Sequence, residues 1–371
     1  MKIKTITCHD VYNAGASLQA YALMQYLEDL GNDVEIIDYK PDYLSKHYKI
    51  FGNINPRYEK NILLKSAYLV AKLPRRILNL QRKFMFDAFK NNFFRITPKK
   101  YCSNDELKNN CPVADVYLAG SDQIWNPIFE NGKDPAFYLD FVPDEKIKAS
   151  YAASFAVNSF SAELIGVTTK RLKRFDYISV RESTGLDILK EMDINNGVQV
   201  VDPVFLLSSK SWHNMITGRL YNKKYIFVYD FDKSLLVEKI ALYLKSMHDY
   251  KIISIQKLHY SDKIFNNAGP LEFLNLVANS EIVISNSFHA TAFSLIFHKN
   301  FIVTNRQEKI NTRMKDLLAD VGALQCLFSE FNPSKFEEPK IDWDNVDKEL
   351  DEKISFSKNY LDCVISGENY D

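Results

Sequence analysis

Four segments carry side chains that could do chemistry at strand ends. Ser285-Asn286-Ser287-Phe288-His289-Ala290 directly follows the apolar run Ile282-Val283-Ile284, and a helix is expected to begin at about His289. Small polar residues in such a place expose backbone N–H groups at a helix N-terminus, where an anion binds well. A histidine there stands at the mouth of a cleft and can move protons near neutral pH. The plainer alternative is a capping cluster around a core histidine. Ser179-Val180-Arg181-Glu182 puts a guanidinium at a second strand end. Its fork suits a phosphate or carboxylate, unless it is spent on a surface pair with Glu182. Asn305-Arg306 follows a third strand, with Asn311-Thr312-Arg313 a few residues on, where Thr312 or Asn311 can cap a helix. Three arginines and a histidine converging on one cleft would serve an anionic substrate. In Gly120-Ser121-Asp122-Gln123-Ile124-Trp125-Asn126-Pro127, Ser121 is a candidate cap. Asp122, Gln123 and Asn126 are sugar-hydroxyl partners by chemistry. Trp125 would stack on a sugar ring or fill the core.

Two other patterns are set aside. Asp230-Phe231-Asp232 has the D-x-D spacing of metal-bound nucleotide-sugar sites, but a strand-ending turn accounts for it. Residues 13–19 contain one glycine and so lack a dinucleotide or phosphate-loop fingerprint. Neither H-E-x-x-H nor G-x-S-x-G occurs, which leaves zincin and α/β-hydrolase chemistry without support. The five cysteines, Cys8, Cys102, Cys111, Cys326 and Cys363, are odd in number and never spaced C-x-x-C. They fit a reduced compartment, not a disulfide framework or a zinc ribbon, and no metal cluster is visible. With 47 basic and 47 acidic residues the chain is neutral, which argues against a surface built for nucleic acid.

The elements that must position these residues alternate. Residues 2–7 suggest a strand. A turn from Asn13 leads into an amphipathic helix through Ala20, Leu23, Met24, Leu27 and Leu30, closed by Gly31, and residues 34–39 make the next strand. Strand, helix, strand implies a parallel sheet. Further strands are expected at 113–119, 149–155, 177–180 and 198–201. A second set follows: strands at 225–229, 251–256, 282–285 and 301–304, with helices at 235–247, 271–278 and 290–297. The fold class is therefore α/β, two Rossmann-like domains facing a cleft. The expected division is 1–206, 207–340 and a helical tail at 341–371.

Residues 57–100 stand apart. Twelve basic residues, among them Arg75, Arg76, Arg82 and Lys83, are opposed only by Glu59 and Asp87. Helical spacing of apolar residues, broken at Pro74, predicts a basic helical hairpin inserted in the first domain. Its basic face is either simply solvated or a surface for anionic lipid or a lipid-linked substrate. No apolar run reaches the roughly 18 residues of a membrane span, and the first ten residues carry no signal core, so a soluble cytoplasmic protein is expected, with peripheral membrane contact through 57–100.

Taken in order, several pieces resemble the polysaccharide pyruvyl transferase family. They are Asn13-Ala-Gly-Ala-Ser-Leu-Gln-Ala-Tyr-Ala-Leu23, Gly120-Ser-Asp-Gln-Ile-Trp-Asn126, Tyr151-Ala-Ala-Ser-Phe155, Ser179-Val-Arg-Glu-Ser183, Val201-Asp-Pro-Val204, Ser285-Asn-Ser-Phe-His-Ala290 and Asn311-Thr-Arg313. The resemblance implies a glycosyltransferase-B-like pair of domains. It also implies transfer of pyruvate from phosphoenolpyruvate to two hydroxyls of a saccharide, free or lipid-linked, in cell-surface or exopolysaccharide synthesis. Phosphoenolpyruvate would be co-substrate, with no further cofactor and no metal. By this similarity His289 takes the catalytic place, with Asp122 as a second acid–base candidate. Arg181 would contact the donor, with Ser285, Asn286, Ser287, Arg306 and Arg313 beside it. Asn13, Gln19, Ser121, Gln123, Trp125 and Asn126 would meet the acceptor. Many members carry arginine two residues before the histidine, where this chain has Ser287; Arg306 or Arg313 is the expected substitute. A nucleotide-sugar glycosyltransferase on the same fold and a non-catalytic saccharide-binding protein are the alternatives.

Overall fold

Lys2–Ile6 forms β1, and Asn13 caps the helix after it. The Asn13 side chain accepts the Ala16 N–H at 3.3 Å, occupying one of the orphan donors at the start of α1 (Ala14–Asp29). Gly31, at φ +82°, turns the chain out of α1 toward β2 (Asp33–Tyr39), a backbone state that a residue with a Cβ enters only at a cost. A computed structural model describes residues 1–45, 64, 66, 68, 70–72, 80–306 and 312–368. In it β1 and β2 are parallel, as the strand–helix–strand pattern requires.

The first sheet adds β3 (Ile96–Tyr101), β4 (Val116–Ala119) and β5 (Ile147–Ser150), in the order β3-β2-β1-β4-β5. Bridges from Ala149 to Tyr177 and from Ala153 to Val180 extend it to β6 (Ile178–Val180), which pairs with β7 (Gly197–Gln199). The second sheet contains β8 (Tyr225–Tyr229), β9 (Lys251–Ser254), β10 (Lys263–Ile264), β11 (Ile282–Ser285), β12 (Asn300–Thr304) and β13 (Leu327–Phe328). Its order is β10-β9-β8-β11-β12-β13. Both sheets thus follow the doubly wound order 3-2-1-4-5, which the second continues to a sixth strand. Each reverses between its first and fourth strands, and ligands of such sheets bind beyond the strand carboxyl ends at that reversal.

The helices that matter for the site are α2 (Leu80–Phe93), α3 (Ser183–Glu191), α4 (Pro270–Ala278), α5 (Phe288–Ile296), α6 (Thr312–Asp320) and α7 (Trp343–Ser366). One apolar core runs through both halves: Tyr21 of α1 meets Phe89 and Phe93 of α2 and Trp212, and Trp212 in turn meets Phe293 of α5. The tail expected at 341–371 is α7, and it returns to the first sheet. Tyr360 donates its hydroxyl to the Ser150 carbonyl at 2.8 Å, and Ser357 accepts the Val201 N–H at 2.9 Å. Asp316 of α6 accepts the backbone N–H and hydroxyl of Ser183 at 2.8 and 2.7 Å, placing a carboxylate at the positive end of α3.

The segment 57–100 departs from a helical hairpin. Its second helix is α2, but Ile96–Tyr101 is a strand, paired in parallel with β2 at the edge of the sheet. An edge strand tolerates Pro98 and presents Lys99 and Lys100, which blunt it against further pairing. The Pro74 break, Arg75 and Arg76 lie outside the described residues. Of the other cations, Arg82 donates to the Tyr12 carbonyl and Lys83 pairs with Asp87. Lys90 reaches Asp10 at 3.0 Å, and Arg95 reaches Glu28 and Asp33 at 2.9 and 2.7 Å. No helix among the described residues is long and apolar enough to cross a membrane.

Candidate active site

Beyond the carboxyl ends of the strands, the two halves face each other across a cleft of about 370 Å³. The first domain contributes Asn13, Asp122, Gln123 and Asn131, and the second contributes Ser287, His289, Arg306 and Arg313. Both α1 and α5 point their N-termini at this space, so two sets of orphan N–H groups add positive potential to that of the arginines.

His289 sits in the first turn of α5. Its ring lies against Gly15 of α1 so closely that a Cβ on Gly15 would overlap it. Nε2 is buried without a hydrogen-bond partner and faces Asp202 Oδ2 at 3.6 Å. Replacing Gly15 by alanine is expected to displace the ring. A cost of about 1–3 kcal/mol in stability should follow, with turnover lower by up to about 10²-fold. Urea unfolding beside a rate assay checks both, and an unchanged rate would refute the contact's importance.

Arg181 does not form a surface pair with Glu182. Glu182 Oε1 instead accepts from Ser154 Oγ and the N–H groups of Phe155 and Ala156 at 2.9–3.1 Å. Arg181, with a side chain 1% exposed, donates from Nη1 to Asp202 Oδ2 at 2.5 Å and reaches Asp122 Oδ1 from Nη2 at 3.4 Å, with its guanidinium 4.9 Å above the Phe288 ring. Burial works against both charges. The Asp202, Asp122 and Glu182 carboxylates nevertheless hold Arg181 above its ordinary value, and His289 and Arg181 hold the Asp202 carboxyl well below the usual range. Asp122 adopts φ +75° and keeps 21% of its side chain exposed toward the cleft.

The other two arginines are differently placed. Arg306 stacks 5.1 Å over Phe231, with Nε 3.7 Å from Asp232. Arg313 has no carboxylate within ion-pair distance among the described residues, and its Nε is buried without a hydrogen-bond partner. Burial, with Arg181 nearby, pulls its guanidinium down to about 10. A cation held in this way suits an anion brought in by substrate.

Several expected contacts are turned away from the cleft. Trp125 is fully buried, donates Nε1–H to the Phe137 carbonyl at 3.0 Å and stacks on Tyr138, so it fills the core and meets no sugar. Asn126 donates to Gln123 Oε1 and accepts the Ile128 N–H, bracing the turn. Ser121 donates to the Ala152 carbonyl, and Gln19 donates to Thr7 Oγ1 and the Ala16 carbonyl, both enclosed. Acceptor contacts by these four are corrected accordingly: all four are buried, and their hydrogen bonds stay within the first domain. Ser285 donates to the Tyr229 carbonyl and accepts the Ser287 N–H. Asn286 bridges Asp230 and the Phe231 N–H. Both shape the loop under His289, and Asn286 also lines the cleft while Ser285 does not. Asp230 also accepts the N–H groups of Asp232 and Ser234, which makes the D-x-D segment a turn. Among the described residues no group of three or more His, Cys, Asp or Glu is placed to hold a metal ion.

Trp125→Phe should cost about 1–3 kcal/mol, because it leaves the Phe137 carbonyl unpaired in the core, and should leave acceptor KM unchanged. A raised KM at full stability would return Trp125 to the sugar site. Sequence reasoning placed Asp202 only within the Val201-Asp-Pro-Val204 piece and gave it no role in the site. The Asp-Pro pair three residues beyond β7 was the available signal, since an aspartate before proline commonly caps a turn.

A family model described as polysaccharide pyruvyl transferase matches residues 13–308. No curated protein matches the chain. UDP-N-acetylglucosamine 2-epimerase from Rickettsia bellii superposes with a TM-score of 0.55 at 12% identity, covering 99% of this chain and 96% of that one. The MnaA–UDP co-structure from S. aureus gives 0.51 at 11% identity, covering 97% and 89%. At such identities the likeness is one of fold, the paired-domain glycosyltransferase-B arrangement.

Proposed function

Since the chain belongs to the polysaccharide pyruvyl transferase family, we propose that it transfers pyruvate from phosphoenolpyruvate to two hydroxyls of a saccharide, forming a cyclic ketal and releasing phosphate. The observation that carries this reading is the cleft that gathers His289, Arg306 and Arg313 opposite Asp122 and Gln123. Phosphoenolpyruvate brings a phosphate and a carboxylate, and two arginines with two helix N-termini answer both. Ser287 stands where many members of the family carry arginine, and Arg313 takes over that anion contact.

The reaction needs a proton at the methylene carbon, which makes the neighbouring carbon electrophilic. One sugar hydroxyl attacks there, the C–O bond to phosphate breaks, and the second hydroxyl closes the ketal. Of the two hydroxyl protons given up, one balances that taken by the methylene carbon and the other leaves on phosphate. The sequence is redox-neutral and draws on no redox carrier. His289 is the general acid–base group, and Asp122 faces the same space. Arg181, held by two carboxylates, stabilises the layer behind the histidine and adds its field to the donor site.

Phosphate release from phosphoenolpyruvate, measured against a panel of free and lipid-linked saccharides, tests the proposal. Release that requires a saccharide is the expected result. Stabilisation by a nucleotide-sugar, with none by phosphoenolpyruvate, would replace this reading with glycosyl transfer.

A further inference from the structure

We infer that Asp202 is a positioning residue that fixes which nitrogen of His289 faces the substrate; its consequence for catalysis rests on the pyruvyl-transfer reading. Asp202 lies at the entrance of the turn at Pro203–Leu206, fully buried, and Oδ1 accepts the Val204 N–H at 3.1 Å. That bond and the following proline hold the carboxylate in one orientation. Oδ2 then faces two partners, Arg181 Nη1 at 2.5 Å and His289 Nε2 at 3.6 Å.

Nε2 has no other hydrogen-bond partner and is shut off from solvent. A lone pair there would face a carboxylate across a dry gap, whereas an Nε2–H faces it favourably. The proton therefore stays on the inner nitrogen, and Nδ1 is the atom that exchanges protons with the cleft. The Nδ1 edge packs on Gly15, where an added Cβ would overlap Nδ1, so any side chain there would close that edge altogether. The other groups around the ring are Arg181 behind Asp202, Asp122 on the far side of Arg181, and the Phe288 ring at 5.5 Å. Among these, Asp202 is the group that can accept from Nε2. An aspartate that sets the tautomer of a catalytic imidazole is an established device, here turned so that Nδ1 works outward.

Imidazole ¹⁵N spectra of the full-length protein, with the His289 signals identified from their loss in His289→Gln, read the tautomer directly. The expected spectrum shows a protonated Nε2 and a bare Nδ1 in the neutral ring. The opposite tautomer in the wild type overturns the inference without recourse to any variant. In kinetics, Asp202→Asn should lower kcat about 10²-fold while leaving KM for phosphoenolpyruvate within about twofold, since Arg306 and Arg313 are untouched. Asp202→Glu, which keeps the charge, should recover part of the loss. A raised KM at unchanged kcat would make Asp202 a donor-binding support instead. Should Asp202→Asn fail to fold, the wild-type and Asp202→Glu spectra decide. Should the wild type release no phosphate with any acceptor, the transfer reading fails and the tautomer still decides the role of Asp202.

Discussion

Phosphate release by the His289→Ala variant is expected to fall by about 10²–10⁴-fold at saturating donor and acceptor, the range lost with a positioned general acid–base group. Two features make the variant informative. First, the imidazole makes no hydrogen bond that the fold depends on, and Asp202 keeps its bonds to Arg181 and Val204 without it. The variant should therefore fold. Second, Arg306 and Arg313, the proposed donor contacts, lie outside α5 and survive the change. Phosphoenolpyruvate should still raise the melting temperature of the variant while turnover is lost. A variant that keeps more than a tenth of wild-type turnover would move the proton chemistry to Asp122.

Asp202→Ala is expected to remove about 3–5 kcal/mol of stability near neutral pH, because it strands the buried Arg181 guanidinium without its closest partner. The pH dependence has a definite sign. Asp202 is held below the ordinary carboxylate range in the folded chain. Its contribution is complete above the unfolded-state value of about 3.9 and is withdrawn as acid approaches the lower folded value. Urea unfolding at pH 7 should therefore separate wild type and variant widely, and the gap should narrow below about pH 4. An equal gap at both ends of that range would mean that the charge of Asp202 is not what stabilises the site.

The periodic elements were legible because burial on both faces of a parallel strand leaves an unmistakable apolar run, as at Ile282-Val283-Ile284 and residues 225–229. The opening strand, the helix closed by Gly31 and the second strand lie where the pattern puts them. Ile96–Tyr101 was not legible, since an edge strand carrying proline and two lysines has the composition of a solvated loop. In the site, strand-end position picked out His289, Arg306, Arg313, Asp122 and Gln123, all of which line the cleft. It said nothing of direction. Trp125 and Asn126 follow Asp122 by only a few residues, yet the backbone is left-handed at Asp122 and both later side chains are fully buried. The partner of Arg181 was equally hidden, because an adjacent Glu182 is the obvious neighbour in sequence while Asp202 becomes one only when β6 and β7 pair.

The return of α7 to the first sheet has a consequence for synthesis on the ribosome. Domains near the start of a chain commonly fold first, as they emerge. Here the Ser150 carbonyl, which already accepts from Ser179 Oγ, gains Tyr360, and the Val201 N–H waits for Ser357, so the first half stays unfinished until the second has been made and has crossed back. A nascent chain stopped before residue 357 would hold a second sheet without a finished partner to work against.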